Sequence, residues 1–381
     1  MTRIALSSER PKISQNSVAM LGLGTATPDH ILQSTTAQLA EPLCCDAAQQ
    51  VQFFNRLYGH CGVEARGSVL FDAGDPANQR CHDFYRNREN AQDMGPSTGA
   101  RMELYARHAP GLAESAARAA LADAELTPDQ VTHLLPVTCT GFFSPGLDVE
   151  LIRRLGLAPT VHRVQVGFMG CHGAFNAMAT ARDILAGNPR AVVLICCVEL
   201  CSLHLAYGFD PQKIVANALF ADGAAAAIIG STERSTGGHA CPTILASSTM
   251  LIPGSLDAMT WRIGDHGFAM TLSPKIPELV AQHVPQWLDT WLAGRSISLA
   301  DIELFAIHPG GPKVLSAVAA ALDRPDEITT PAREVLRAHG NMSSATILFV
   351  LQNLLATGAQ GPCLALGFGP GLTAEGLLLE I

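Results

Sequence analysis

The sequence predicts a layered α/β fold made from two copies of one unit. Three observations carry this. Ala-rich helical patterns alternate with short apolar runs, which indicates helices packed on buried strands. The order of those patterns occurs twice along the chain. The spacing between the chemically distinctive residues is nearly the same in both copies.

Taken in order, residues 1–17 are polar and mixed in charge and read as an N-terminal arm. The first half is assigned to 18–235 and the second to 236–381. Helical patterns fall at 111–124, 148–155, 171–186, 276–292, 313–322 and 342–356. Apolar runs at 132–138, 163–168, 191–198, 224–229, 303–307, 363–367 and 376–381 read as buried strands.

The repeat runs as follows. Strand 132–138 ends at Cys139 and is followed by a Pro145-Gly146 turn and a helix. Strand 303–307 ends at His308 and is followed by a Pro309-Gly310-Gly311 turn and a helix. Gly170-Cys171 opens the next helix of the first copy, and Gly340-Asn341 opens its counterpart in the second. Cys139 precedes Cys171 by 32 residues, and His308 precedes Asn341 by 33. Two halves related by a pseudo-twofold axis would bring all four residues to one pocket.

Composition narrows the function. The chain has 381 residues, 48% hydrophobic and 15% charged, which is ample for large cores and for a hidden subunit interface. A net charge of −9 argues against nucleic acid, whose phosphates need a basic field. The 11 cysteines show no paired spacing for zinc or disulfides. Cys196 and Cys197 sit in an apolar run and read as small buried hydrophobes. No apolar stretch reaches the roughly 20 residues of a membrane span, and the start lacks a secretory core. The expectation is a soluble, cytoplasmic protein.

The chemistry centres on Cys171. A helix N-terminus presents free N–H groups and a positive dipole end, which stabilise a thiolate, and an ion pair with His308 would lower its pKa further. A lone His in an apolar sheet commonly belongs to the core, and Asn341 also suits a helix N-cap. Their matching repeat positions favour function. A thiolate can accept an acyl group from a thioester. A second thioester bearing a β-carboxylate then loses CO2, and its enolate attacks the acyl-enzyme. The enolate oxygen needs N–H donors more than a base, and His308 and Asn341 supply them; an Asp at 341 would repel the charge.

Several long segments resemble the type III polyketide synthases, the chalcone-synthase superfamily. They are Gly22-Leu-Gly-Thr-Ala-Thr-Pro28, Gly167-Phe-Met-Gly-Cys171, Ala218-Leu-Phe-Ala-Asp-Gly-Ala-Ala225, Ile307-His-Pro-Gly-Gly-Pro312, Gly340-Asn-Met-Ser-Ser-Ala345 and Gly367-Phe-Gly-Pro-Gly-Leu-Thr373. The resemblance implies a thiolase-like, five-layered αβαβα subunit and a homodimer. It implies Cys171, His308 and Asn341 as catalytic residues, with an acyl-CoA starter and malonyl-CoA as substrates and no further cofactor or metal.

The resemblance also places a gate at Phe220 and Met270, where a thioether replaces the plant phenylalanine. Pocket positions fall at Cys139, Thr140, Cys201, His204, Trp261 and Ser343, and a cyclisation-pocket loop at Gly367, Phe368, Gly369, Pro370 and Gly371. CoA contacts map to Arg56, Gly310 and Gly311, with Phe53 and His60 where plant enzymes carry lysines. Ser144 stands where those enzymes extend a Met into the partner's cavity. The departures argue against chalcone synthesis, and the string from Gly167 to His172 with Trp261-Arg-Ile-Gly-Asp-His-Gly-Phe268 looks more like bacterial members, which often take fatty acyl starters and make alkylpyrones or alkylresorcinols.

Three rivals share features. The initiating ketoacyl synthase of fatty-acid synthesis has the same Cys-His-Asn set but stops after one condensation. A biosynthetic thiolase needs a second Cys near the C-terminal glycine loop, where Cys363 is poorly placed. A papain-like hydrolase runs Cys, His, Asn but lacks this repeat.

Overall fold

A computed structural model describes residues 17–75, 77–234 and 241–381. All but the last residue of the expected arm, and the expected boundary at 235/236, lie outside the described residues.

The first half contains β1 (Val18–Ala26), β2 (His30–Leu32), α1 (Gln33–Cys44), α2 (Ala48–His60), β3 (Ala65–Gly67), α3 (Gln79–Phe84), α4 (Thr98–Asp123) and β4 (His133–Thr138). It continues with α5 (Leu147–Leu155), β5 (His162–Arg163), β6 (Val166–Gly167), α6 (Gly173–Gly187), β7 (Val193–Leu200), α7 (Pro211–Leu219) and β8 (Asp222–Ser231). The second half contains β9 (Thr243–Leu251), β10 (Met259–Gly264), β11 (Gly267–Leu272), α8 (Ile276–Ala293), β12 (Leu304–Ile307), α9 (Pro312–Ala321), α10 (Thr330–His339), α11 (Thr346–Ala356), β13 (Pro362–Gly369) and β14 (Thr373–Glu380).

The duplication is visible in the sheet. Its order is β12-β13-β14-β9-β1-β8-β7-β4-β5, with β6 also on β4. Strands β4 and β7 are parallel, whereas β7–β8 and β8–β1 are antiparallel. In the second half β12 and β13 are parallel, whereas β13–β14 and β14–β9 are antiparallel. The pseudo-axis therefore passes between β1 and β9, which pair only at Ala19 and Thr243.

Every residue of β7 and β8 is buried. That explains their continuous apolar sequence, because a strand covered on both faces has no polar alternation. Ala225, Ala227 and Ile229 face the inner core, and Ala224, Ala226 and Ile228 the outer one. Cys196 and Cys197 split the same way and are fully buried. Helices α6 and α11 lie between the two halves of the sheet, α6 touching β4, β7 and β8 on one side and β9 and β14 on the other. Helix α4 covers the outside of the first half. Helix α8 covers the second, with Trp287 and Trp291 packed on Gly376. The result is the thiolase-like αβαβα arrangement.

Some elements differ from the sequence expectation. Helix α4 runs Thr98–Asp123 with Pro110 inside it, so it begins well before the helical pattern expected at 111–124. Strand β1 was read only as a motif, because its glycines resemble a loop. They are needed for close approach: a Cβ on Gly24 would lie 2.3 Å from the Ala120 nitrogen of α4. The expected strand over 163–168 is two short pieces.

Candidate active site

The duplicated unit delivers side chains to one cavity. Strand β4 ends at Thr138 and presents Cys139 and Thr140, and the single 3-10 turn Gly170–His172 before α6 presents Cys171. Gly170 has φ +74°, and a Cβ there would lie 2.4 Å from the Pro370 ring. Only glycine fits. The cavity is lined by Cys171 together with Cys139, Thr140, Cys201, His204, Phe220, Trp261, Met270, Ser343 and Pro370. The lining also takes in Ile31, Leu39, Leu43, Leu70 and Phe71, on and beside α1, together with Arg66 and Lys213.

Cys171 is buried, and two donors from the second half reach its sulfur. The Ser343 hydroxyl donates at 3.6 Å, and the Asn341 amide is also hydrogen-bonded to it. Asn341 does not open a helix, as the repeat had implied. It forms an isolated bridge with Phe220, and a 3-10 turn at Ser343–Ala345 intervenes before α11. Its Oδ1 accepts from the Ser343 N–H at 2.9 Å, which fixes the amide and turns its N–H side to the sulfur.

His308 follows β12 directly, held by its N–H on the Leu366 carbonyl at 2.8 Å. The side chain is buried, and neither ring nitrogen has a hydrogen-bond partner among the described residues. Burial, with a smaller contribution from His172, pushes its pKa down to about 3. Burial pushes the Cys171 thiol up to about 12; buried Glu199 adds to this, while Ser343, Asn341 and the Cys171 backbone N–H oppose it. Both shifts come chiefly from the removal of each group from water, which disfavours its charged form.

The gate and wall residues form one assembly. Trp261 Nε1 donates to the Cys139 carbonyl at 2.7 Å, and pairing of β10 with β11 sets Trp261 opposite Met270. His204 Nε2 bonds the Thr140 carbonyl at 2.7 Å, its Nδ1 accepts from the Phe268 N–H at 3.0 Å, and its ring stacks on Phe268. Burial pushes its pKa down to about 3, so it is a neutral wall residue with both nitrogens occupied.

Other expected positions are not among the residues that line this cavity, and neither are the buried His308 and Asn341, of which Asn341 reaches the Cys171 sulfur by its hydrogen bond. Gly367, Phe368 and Gly369 belong to β13, where the bare face of Gly367 meets Phe175 and that of Gly369 meets His172. Of that stretch Pro370 alone is at the wall; Gly371 turns towards Leu251. Their glycines admit neighbouring rings instead of shaping the pocket. Arg56 is exposed on α2, and Gly310 and Gly311 precede α9; none of the three lines the cavity.

Glu199 was missed. Fully buried, it accepts from the Cys139 N–H at 3.0 Å, the Thr140 hydroxyl at 2.6 Å and the Ser344 hydroxyl at 2.5 Å. It thus ties the end of β4 to the second half beneath Cys171. A lone acid closing the apolar run of β7 was the available signal, since buried charges need built partners.

The duplicated α/β fold and a cavity with a buried cysteine define a condensing acyltransferase. The chain belongs to the chalcone and stilbene synthase family: the family's N-terminal domain matches residues 6–233 and its C-terminal domain residues 243–381. It is a type III polyketide synthase, which works by decarboxylative condensation. "Alpha-pyrone synthesis polyketide synthase-like Pks18" of Mycobacterium tuberculosis is 30% identical, covering 98% of this chain and 94% of that one. "1,3,6,8-Tetrahydroxynaphthalene synthase" of Streptomyces peucetius subsp. caesius is 32% identical, covering 98% and 95%. Among solved structures, PKS-I of the brown alga Ectocarpus siliculosus superposes with a TM-score of 0.87 at 29% identity, covering 96% of this chain and 98% of that one. These relatives favour repeated extension over the single-condensation ketoacyl synthase.

Proposed function

We propose that the protein loads an acyl-CoA starter on Cys171, extends it with malonyl-CoA, and cyclises the chain in the same cavity. Cys171 passes its proton to His308 and attacks the starter thioester; a C–S bond forms and the CoA thiolate leaves. Malonyl-CoA then breaks its bond to the carboxylate and releases CO2. The enolate oxygen that develops is met by N–H donors from Asn341 and His308. The enolate carbon attacks the acyl-enzyme carbonyl, a C–C bond forms, and the Cys171 thiolate departs. The lengthened chain, now on CoA, returns to Cys171 for the next round.

The observation that carries this reading is the donor pair from the second half on the buried Cys171 sulfur. The unpartnered His308 ring fits a group reserved for a substrate. The apolar side chains of Ile31, Leu39, Leu43, Leu70 and Phe71 in the lining favour an alkyl starter and hence a product of the alkylpyrone or alkylresorcinol kind, and the mycobacterial relative is named for alpha-pyrone synthesis. Arg56, Gly310 and Gly311 are kept as contacts for the CoA end, outside the cavity.

We further propose a homodimer. Strands β5 and β6 end the sheet, and exposed Phe142 and Val164 lie beside them, as a second copy would require. Among the described residues no helix is long and apolar enough to cross a membrane, and a cytoplasmic location is proposed.

Purified protein incubated with malonyl-CoA and a panel of acyl- and aroyl-CoAs tests the function, with products read by mass. Long-chain pyrones or resorcinols are expected. Absence of CO2 release and of condensed product with every starter rejects the reading.

A further inference from the structure

Arg66, on β3, is a guanidinium 5% exposed in the outer core. Its Nη1 donates to the Asn217 carbonyl at 2.7 Å and to the Phe220 carbonyl at 2.6 Å. These carbonyls end α7, where the helix dipole is negative and a cation is favoured. The same stretch pairs with the second half. The Asn341 N–H donates to the Leu219 carbonyl at 2.9 Å, and the Ala221 N–H donates to the Asn341 carbonyl at 2.9 Å.

The approach from the other side is equally close. Gly340 has φ +73°, and a Cβ there would lie 2.8 Å from Ala221 Cβ and 3.2 Å from Arg66 Cβ. The strand carrying Arg66 is itself fastened to α10, the helix that leads into Gly340. The Glu64 N–H donates to the Arg337 carbonyl at 2.8 Å, and the two side chains form an ion pair at 2.8 Å. Arg66 thus sits at the joint between the gate residue of one half and the asparagine of the other.

We propose that Arg66 is a positioning residue for the condensation step: by holding the end of α7 it sets, through one backbone bridge, where Phe220 and Asn341 stand relative to Cys171. Arg66 also lines the cavity, but it bonds neither Cys171 nor the side chains that donate to its sulfur, so loading depends on it far less than decarboxylation does. Decarboxylation depends on where the Asn341 amide stands, since a misplacement of about 1 Å can cost about 100-fold, and this part rests on the role given to Asn341 above. A lysine keeps the charge but cannot reproduce the planar fork that spans two carbonyls.

The test uses the full-length chain with Arg66→Lys, Arg66→Met, Asn341→Ala and the Arg66→Lys/Asn341→Ala double variant. Acyl loading is read by intact mass, and kcat and KM for malonyl-CoA decarboxylation are read separately. Arg66→Lys covers the case in which Arg66→Met does not fold. Loading within about threefold of wild type is expected, with kcat for decarboxylation down about 100-fold and KM changed far less. The double variant should lose no more than Asn341→Ala alone, since both act through one group. Equal losses of loading and decarboxylation, or losses that multiply in the double variant, overturn the inference. Normal decarboxylation by Arg66→Lys, with Asn341→Ala impaired, overturns it alone. Normal decarboxylation by Asn341→Ala overturns the role of Asn341 and the inference with it.

Discussion

The Ser343 hydroxyl donates to the Cys171 sulfur at 3.6 Å and also stands 3.3 Å from the Cys139 sulfur. One hydroxyl of the second half therefore bridges two thiols of the first, and it stabilises negative charge on Cys171. Ser343→Ala removes that donor, so the thiol should ionise at higher pH. The sign follows from the bond: a donor to the charged form lowers the pKa, and its loss raises it. The pH profile of iodoacetamide inactivation is expected to move to alkaline pH, and an unchanged profile refutes this role.

Cys171 and Asn341 should separate by step. Cys171→Ala leaves no acyl acceptor and should show no mass increase with any acyl-CoA. Asn341→Ala should still load but lose decarboxylation by about 100-fold or more, the effect of removing one donor from a developing oxyanion. Intact mass and CO2 release distinguish the two.

Burial raises the Glu199 carboxyl pKa above its usual range, with hydrogen bonds from Ser344, Thr140 and Cys139 opposing. For an acid raised on folding, the unfolded chain ionises first. Its stabilising contribution is full below the unfolded pKa and is lost as pH rises through the folded one. Relative to wild type, Glu199→Gln should gain in Tm as pH rises from about 4 towards neutrality. Glu199→Leu, which strands the Cys139 N–H and the hydroxyls of Thr138, Thr140 and Ser344, should cost about 2–4 kcal/mol at any pH. Melting curves across that range check both.

His204 holds the β10–β11 hairpin to the Thr140 carbonyl. With its pKa down at about 3 it stays neutral through the working range, so it carries no proton in catalysis. His204→Leu should change the spread of product chain lengths, because the wall bearing Trp261 and Met270 loses its tether. The pH profile of kcat should not move. An unaltered product spectrum argues against the tether.

How much was legible in the sequence follows from the repeat. Matching turns after Cys139 and His308, and matching glycines before Cys171 and Asn341, placed those residues at one axis by spacing alone. The outer boundaries were less legible, since the helical pattern expected at 111–124 begins only after Pro110, and Gly22 and Gly24 look like a loop. Glu199 left only a faint mark, a single acid in an apolar strand, and Arg66 left none.

What the sequence determined by itself was therefore the periodic part: buried strands, Ala-rich helices, their duplication and the residues carried at equivalent ends. Local pattern encodes these because burial on both faces demands continuous apolar side chains. Tertiary structure alone decided how far Cys171 and His308 are withdrawn from water, and with it the direction in which each pKa moves. It alone decided that Asn341 bridges to Phe220 instead of opening a helix. Both are relations between segments more than a hundred residues apart, and no local pattern records the distance between them.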